Sequence, residues 1–222
     1  MPRGVGSLRL VGLIAASLTL GACNLVVSQT PMYAVADAAH AARLRPGVWA
    51  SPKEGCEFKA SDPAAQWPEC ASGGIIDDEA IRQIPGTQSQ PAQVKVDHFP
   101  YILAAGDPRV LQLEVSFAVD PKQPPKTLFY YVGLKPTGYD ADGRITAAEV
   151  WAIQCGPPPP PAKQGDQIDP SEMVTKQPLP GMKVDDSGLC SPADKTAIFA
   201  AAKPSRAWAD PVGVLKWIKD KP

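Results

Sequence analysis

Histidine is scarce in this 222-residue chain: only His40 and His98 are present, and neither lies in a motif that would make it a catalytic base. No G-x-S-x-G segment occurs, so the strained turn that exposes a serine nucleophile has no counterpart here. No C-x-x-C pair occurs either. With two histidines, that leaves little from which to assemble a tetrahedral zinc site. Basic charge is not in excess, since 22 Lys and Arg stand against 23 Asp and Glu. Nucleic-acid binding, which relies on clustered cations over phosphate, is therefore not expected. The longest mainly apolar run, Leu10 to Leu20, is about half of what a helix needs to cross a bilayer.

That short run has a specific context. Arg3 and Arg9 precede it, the small residues Gly21 and Ala22 follow it, and Cys23 comes next. A positive start, an apolar core and a small-residue exit form an export leader over residues 1–22. Its tail, Leu20-Gly21-Ala22-Cys23, resembles the lipobox of bacterial lipoproteins. The resemblance implies cleavage before Cys23 once its thiol carries a diacylglycerol, so one expected partner is the membrane, through lipid on Cys23. It also implies an address in the cell envelope, facing the periplasm. Asn24 stands where Asp would signal inner-membrane retention, which favours the outer membrane. Loss of Arg3 and Arg9 with the leader takes the formal net charge from −1 to −3.

Cysteine usage agrees with export. Besides Cys23 there are four, Cys56, Cys70, Cys155 and Cys190, an even number in a compartment that permits disulfides. Three connectivities are open. Pairing Cys56 with Cys70 and Cys155 with Cys190 is preferred, because each pair is nearest in sequence and closes a proline-containing loop. Each bond would contribute about 3 to 4 kcal/mol by loop closure.

Proline is the compositional outlier, 26 of 222 residues, more than twice the usual share of about 5 per cent. Such a chain is rich in loops. Residues 23–45 read as the lipidated cysteine, a tether and a short alanine-rich helix from about Tyr33 to Leu44. A single globular domain follows over 46–222. Its first part, Ser51 to Gly74, holds two cysteines in an irregular lobe, and the stretch around Asp77-Asp78-Glu79 reads as a small hairpin in preference to a helix begun by Asp77. From Val110 to Val119 the alternation is clean, with Leu111, Leu113, Val115, Phe117 and Val119 on one face and Gln112, Glu114 and Ser116 on a wet one. Thr127 to Leu134 is apolar on both faces and reads as a central strand, and Ile145 to Cys155 forms another. Five consecutive prolines, Pro157 to Pro161, open a Pro-rich insert over about 156–181. Ser191-Pro192 and Asp210-Pro211 each read as a helix start, the first helix ending at Lys203 and the second carrying Val214, Leu215 and Ile218.

The expected fold is mainly β: an antiparallel meander sheet of five to seven strands, open or closed into a barrel, with short C-terminal helices. Arg45-Pro46-Gly47-Val48-Trp49 and Trp151 to Pro159 resemble stretches of uncharacterised bacterial lipoproteins, a likeness that implies a family without a known activity and so adds no mechanism. Gly47-Val48-Trp49, opening a meander that ends in a helix, resembles the first strand of lipocalins.

The sharpest motif is Gly138 to Glu149. It sets Asp140, Asp142, Gly143 and Glu149 at calcium-loop spacing. Gly138 brings no oxygen to the first ligand position, and the flanks read as strands, so an Asp-Gly hairpin turn is preferred over an ion site. The expected function is an envelope lipoprotein acting as a non-enzymatic binding or structural module, without cofactor, for a protein, glycan or small apolar ligand. The alternatives are an envelope hydrolase using His98 and a calcium-dependent module using Asp140, Asp142 and Glu149. Five tryptophans, Trp49, Trp67, Trp151, Trp208 and Trp217, are assigned to core packing ahead of sugar stacking.

Overall fold

The computed structural model describes residues 24–68, 70–84, 98–117, 124–159, 174–186, 188–209 and 212–221. Residues 1–23, where the export leader and lipidated cysteine are expected, and the centre of the Pro-rich insert lie outside them. The protein is mainly β, and its centre is a closed antiparallel barrel. Strands β2 (Gly47–Pro52), β3 (Ala71–Ile76), β4 (Ala80–Gln83), β5 (His98–Ala104), β6 (Arg109–Phe117), β7 (Lys126–Tyr139) and β8 (Ile145–Ala152) pair in sequence order. Strand β11 (Gly213–Lys219) then closes the ring between β8 and β2. Strand β1 (Val27–Ser28) adds to the lower half of β7, and β9 (Met182–Val184) pairs with β10 (Cys190–Pro192) outside the ring. The barrel thus has eight strands where five to seven were expected.

Pleating divides the side chains into an inside and two covered outsides. Trp49, Ile76, Leu103, Leu111, Leu113, Leu134 and Ala148 form one apolar cluster, the filling of the barrel. On the outside, helix α1 (Lys195–Trp208) lays Ala197, Ile198, Ala201 and Ala202 over Val110, Phe129 and Tyr131. This explains why β7 is apolar on both faces. Across the barrel the Cys56–Cys70 lobe places Ala64 and Trp67 over Val48, Ala50 and Ala71. Burial of each large side chain in these layers stabilises by about 1.5 to 3 kcal/mol. The second disulfide, Cys155–Cys190, joins the end of the meander to β10 beneath α1. Cα separations of 5.6 and 5.9 Å suit both bonds, and the sequential pairing is the one present.

Three expectations fail for physical reasons. Residues 24–28 are not a tether, because Asn24, Val26, Val27 and Ser28 are buried in the sheet. The helix expected over 33–44 is reduced to a 3-10 turn at Val35–Ala38. Here alanine propensity loses to Gln112, whose Oε1 accepts from the backbone N–H groups of Met32 and Tyr33 while its Nε2 donates to the Tyr33 carbonyl. Gln112 itself is 3% exposed, so the face of β6 read as wet is covered at that point. Finally, residues 213–219 form β11 rather than a second helix. Asp210 and Pro211, read as its start, lie outside the described residues.

Helix α1 also starts and ends later than its pattern suggested. Its N-cap is Asp194, which accepts from Ala197 N–H, while Ser191-Pro192 belongs to β10. The helix then continues through Pro204 to Trp208. A proline inside a helix removes one backbone donor. Neighbouring carbonyls find side-chain donors instead: Ser205 Oγ donates to Ala201 O at 2.7 Å, and Trp151 Nε1 to Ala202 O at 2.7 Å.

Candidate functional site

The two ends of the barrel differ. At the end where β2 begins, the inside is filled by Leu44, Trp49, Leu134 and Ile145, each at most 1% exposed. Above them lies a shallow cleft of about 320 Å³ lined by Arg45, Asp140, Asp142, Arg144 and Asp220. Its charges compensate one another. The Arg45 guanidinium sits 3.7 Å over the Trp217 ring, 3.3 Å from Asp220 and 3.9 Å from Asp140.

This cleft contains the calcium-loop motif, and its local structure is a hairpin turn. Asp140 Oδ1 accepts from the backbone N–H groups of Asp142 and Arg144, and Gly143 takes the left-handed φ of +75° that the turn requires. Glu149 is carried away along β8, where its Oε2 accepts from Arg206 at 2.6 Å. The Asp140 and Glu149 carboxylates are therefore engaged separately, and Asp142 enters the turn through its backbone N–H. Among the described residues no three His, Cys, Asp or Glu side chains converge on one point.

The opposite end is lined by half-exposed apolar side chains. Inward positions on β5, β6 and β7 carry Phe99, Val115, Phe117, Leu128 and Tyr130. Across the barrel, the cross-strand pair Ser51 and Ser72 supplies two hydroxyls on the same inner surface. Burial pushes the Tyr130 pKa up, so its hydroxyl stays protonated and able to donate. It has no hydrogen-bond partner among the described residues. An apolar lining with a few separated hydroxyls can hold an apolar molecule and orient a polar end. The segments 85–97 and 118–123, which join strands at this end, lie outside the described residues.

The other sequence candidates fall elsewhere. His98 is exposed at the start of β5, and His40 is exposed on a loop; neither forms a side-chain hydrogen bond among the described residues. Asp97 is outside them. Asp77 shapes the β3–β4 turn. Burial alone would raise its pKa, but hydrogen bonds from Glu79 and Ala80 N–H, with Arg82 beside it, outweigh that and lower it. Trp49, Trp67 and Trp151 are buried, and Trp217 is half-buried with its Nε1 donating to Pro46 O, as core packing requires. Sequence reasoning identified Val115 and Phe117 as one face of a strand. It missed Phe99, Leu128 and Tyr130 as their partners, because the register of β5 and β7 on β6 is what brings them together.

No family model, curated protein or solved structure matches the chain.

Proposed function

We propose that this chain is a lipid-anchored envelope lipoprotein whose barrel is a non-enzymatic binding module for a small apolar ligand. The anchor reading draws on the lipobox-like Leu20 to Cys23. Export is supported by the two disulfides, which persist in oxidising compartments. The ligand reading rests on one observation: Phe99, Val115, Phe117, Leu128 and Tyr130 remain half-exposed inside one end of the barrel. A barrel of eight strands is wide enough to be filled by side chains or to hold one small molecule, and here the fully buried filling lies toward the opposite end. Buried tryptophans leave glycan stacking with less support, and His98, pointing away from the lining, gives little to a hydrolase.

Two experiments test this. Cys23→Ala should abolish incorporation of a labelled fatty acid; incorporation that persists refutes the anchor. An apolar fluorescent probe such as a phenylnaphthylamine should bind saturably to the wild-type protein and lose that binding in Phe99→Asp. Non-saturable binding in both proteins refutes the ligand site.

A further inference from the structure

We propose that the barrel is held directly against the membrane surface, with the flank around Asn24, Gly156 and Lys176 facing lipid headgroups and no tether between anchor and fold. This rests on the reading of Cys23 as the lipidated residue. The residue after it is already inside the protein. Asn24 is 4% exposed; its carbonyl accepts from Cys155 N–H at 2.7 Å, and its Nδ2 donates to Gly156 O at 3.0 Å and Gln154 Oε1 at 3.1 Å. Val26 N–H donates to Ile153 O, and Val26 bridges to Cys190. Val27 and Ser28 pair with Tyr130 and Phe129. The segment is thus fastened beside both halves of the Cys155–Cys190 bond.

Consecutive Cα atoms lie about 3.8 Å apart across a trans peptide, so Cys23 begins within one residue of this buried strand. A lipid on its thiol has its acyl chains in the hydrocarbon and its glycerol at the headgroups. The barrel wall can then stand off from the bilayer by little more than a side chain, unless residues 24–28 leave the sheet. The surface next to the anchor suits that contact. Gly156 packs on Thr175 and Gln177, and Pro157, Lys176 and Pro178 around them are exposed. This rim carries one cation and no acidic residue at those positions, as an anionic headgroup layer favours.

The test compares native lipoprotein in phosphatidylglycerol-containing vesicles with a variant carrying ten extra residues between Cys23 and Asn24. The insert begins with Asn, followed by Gly and Ser, so the residue after Cys23 is unchanged. A flexible ten-residue linker spans about 16 to 19 Å on average, enough to lift the flank off the headgroups. Both proteins are treated with a membrane-impermeant amine reagent and mapped by mass spectrometry, and acyl incorporation is recorded on the same samples. Lys59 is exposed on the lobe over β2 and β3, four strands around the ring from β7, and serves as the internal reference. The expected result is loss of Lys176 labelling relative to Lys59 in the native protein and its return in the linker variant. Acylated protein whose Lys176 labels equally with and without the linker overturns the direct contact while leaving the lipoprotein reading standing. Absence of any acylation overturns both.

Discussion

The two disulfides should differ in what their loss does, and the structure sets the size of the difference. Cys56 and Cys70 are 14 residues apart, and Cys155 and Cys190 are 35 apart. Loop closure alone then assigns about 3 kcal/mol to the first bond and about 4 to the second. Surroundings widen the gap. Cys155 and Cys190 have no exposed surface, so replacing both with Ala removes two sulfurs from a packed layer at roughly 1 kcal/mol each on the methylene scale. Cys56 and Cys70 are half-buried at the edge of a lobe, where such voids relax. The expected costs are about 3 kcal/mol for Cys56→Ala with Cys70→Ala and about 6 for Cys155→Ala with Cys190→Ala. With a urea slope of about 2 kcal/mol per molar, the midpoints fall by about 1.5 and about 3 M. Equal shifts, or a larger shift for the Cys56–Cys70 pair, would refute the assignment of the second bond as the one joining barrel, β1 and helix.

Three further outcomes follow from the geometry. Calorimetric titration with calcium should give no heat at sub-millimolar ion, since Asp140 is held by backbone N–H groups and Glu149 by Arg206; saturable binding that vanishes in Glu149→Gln would count against the hairpin reading. A Cβ at Gly133 would run into the Trp151 indole, so Gly133→Ala should cost about 1 to 3 kcal/mol and loosen α1, which near-ultraviolet circular dichroism would report; an unchanged melt contradicts it. Asp37 is held below its ordinary value of 3.8, first by the Ala34 N–H and then by Lys195, and Asp77 is lowered too. Their contribution is present above about pH 4 and lost as pH falls through the lowered folded values. In Asp77→Asn the melting temperature should be lower at neutral pH and fall less steeply in acid, and an acid limb identical to wild type would exclude the linkage.

Much of the sheet was legible because burial leaves a period of two. Leu111 to Phe117 gave its inward face directly, and Thr127 to Leu134, apolar on both sides, is covered on the outside by α1. What was not legible depended on distant segments. Gln112 looks solvated by any local measure, yet it is the buried clamp that holds Met32 and Tyr33 and prevents the helix expected there. Asn24 likewise looked like the start of a polar tether. Its role as a bridge between Cys155 and Gly156 exists only once the chain has returned to it more than a hundred residues later.

The C-terminal strand shows why the closed barrel, and with it the candidate site, stood beyond local reasoning. In residues 214–218, Val-Leu-Lys-Trp-Ile, a helix groups Val214, Leu215 and Ile218, whereas a strand sets Leu215 and Trp217 against Val214 and Lys216. Both patterns are acceptable in isolation. The decision is made by partners: β8 and β2 each present an unpaired edge, and β11 satisfies both, pairing Leu215 with Ala148 and Trp217 with Trp49. An open edge of backbone donors and acceptors exposed to water invites association with other chains. A helix at 213–219 would have left two. Once β11 is in place, Trp217 lies beneath the Arg45 guanidinium at one end, and the half-exposed Phe99, Phe117 and Tyr130 stand at the other.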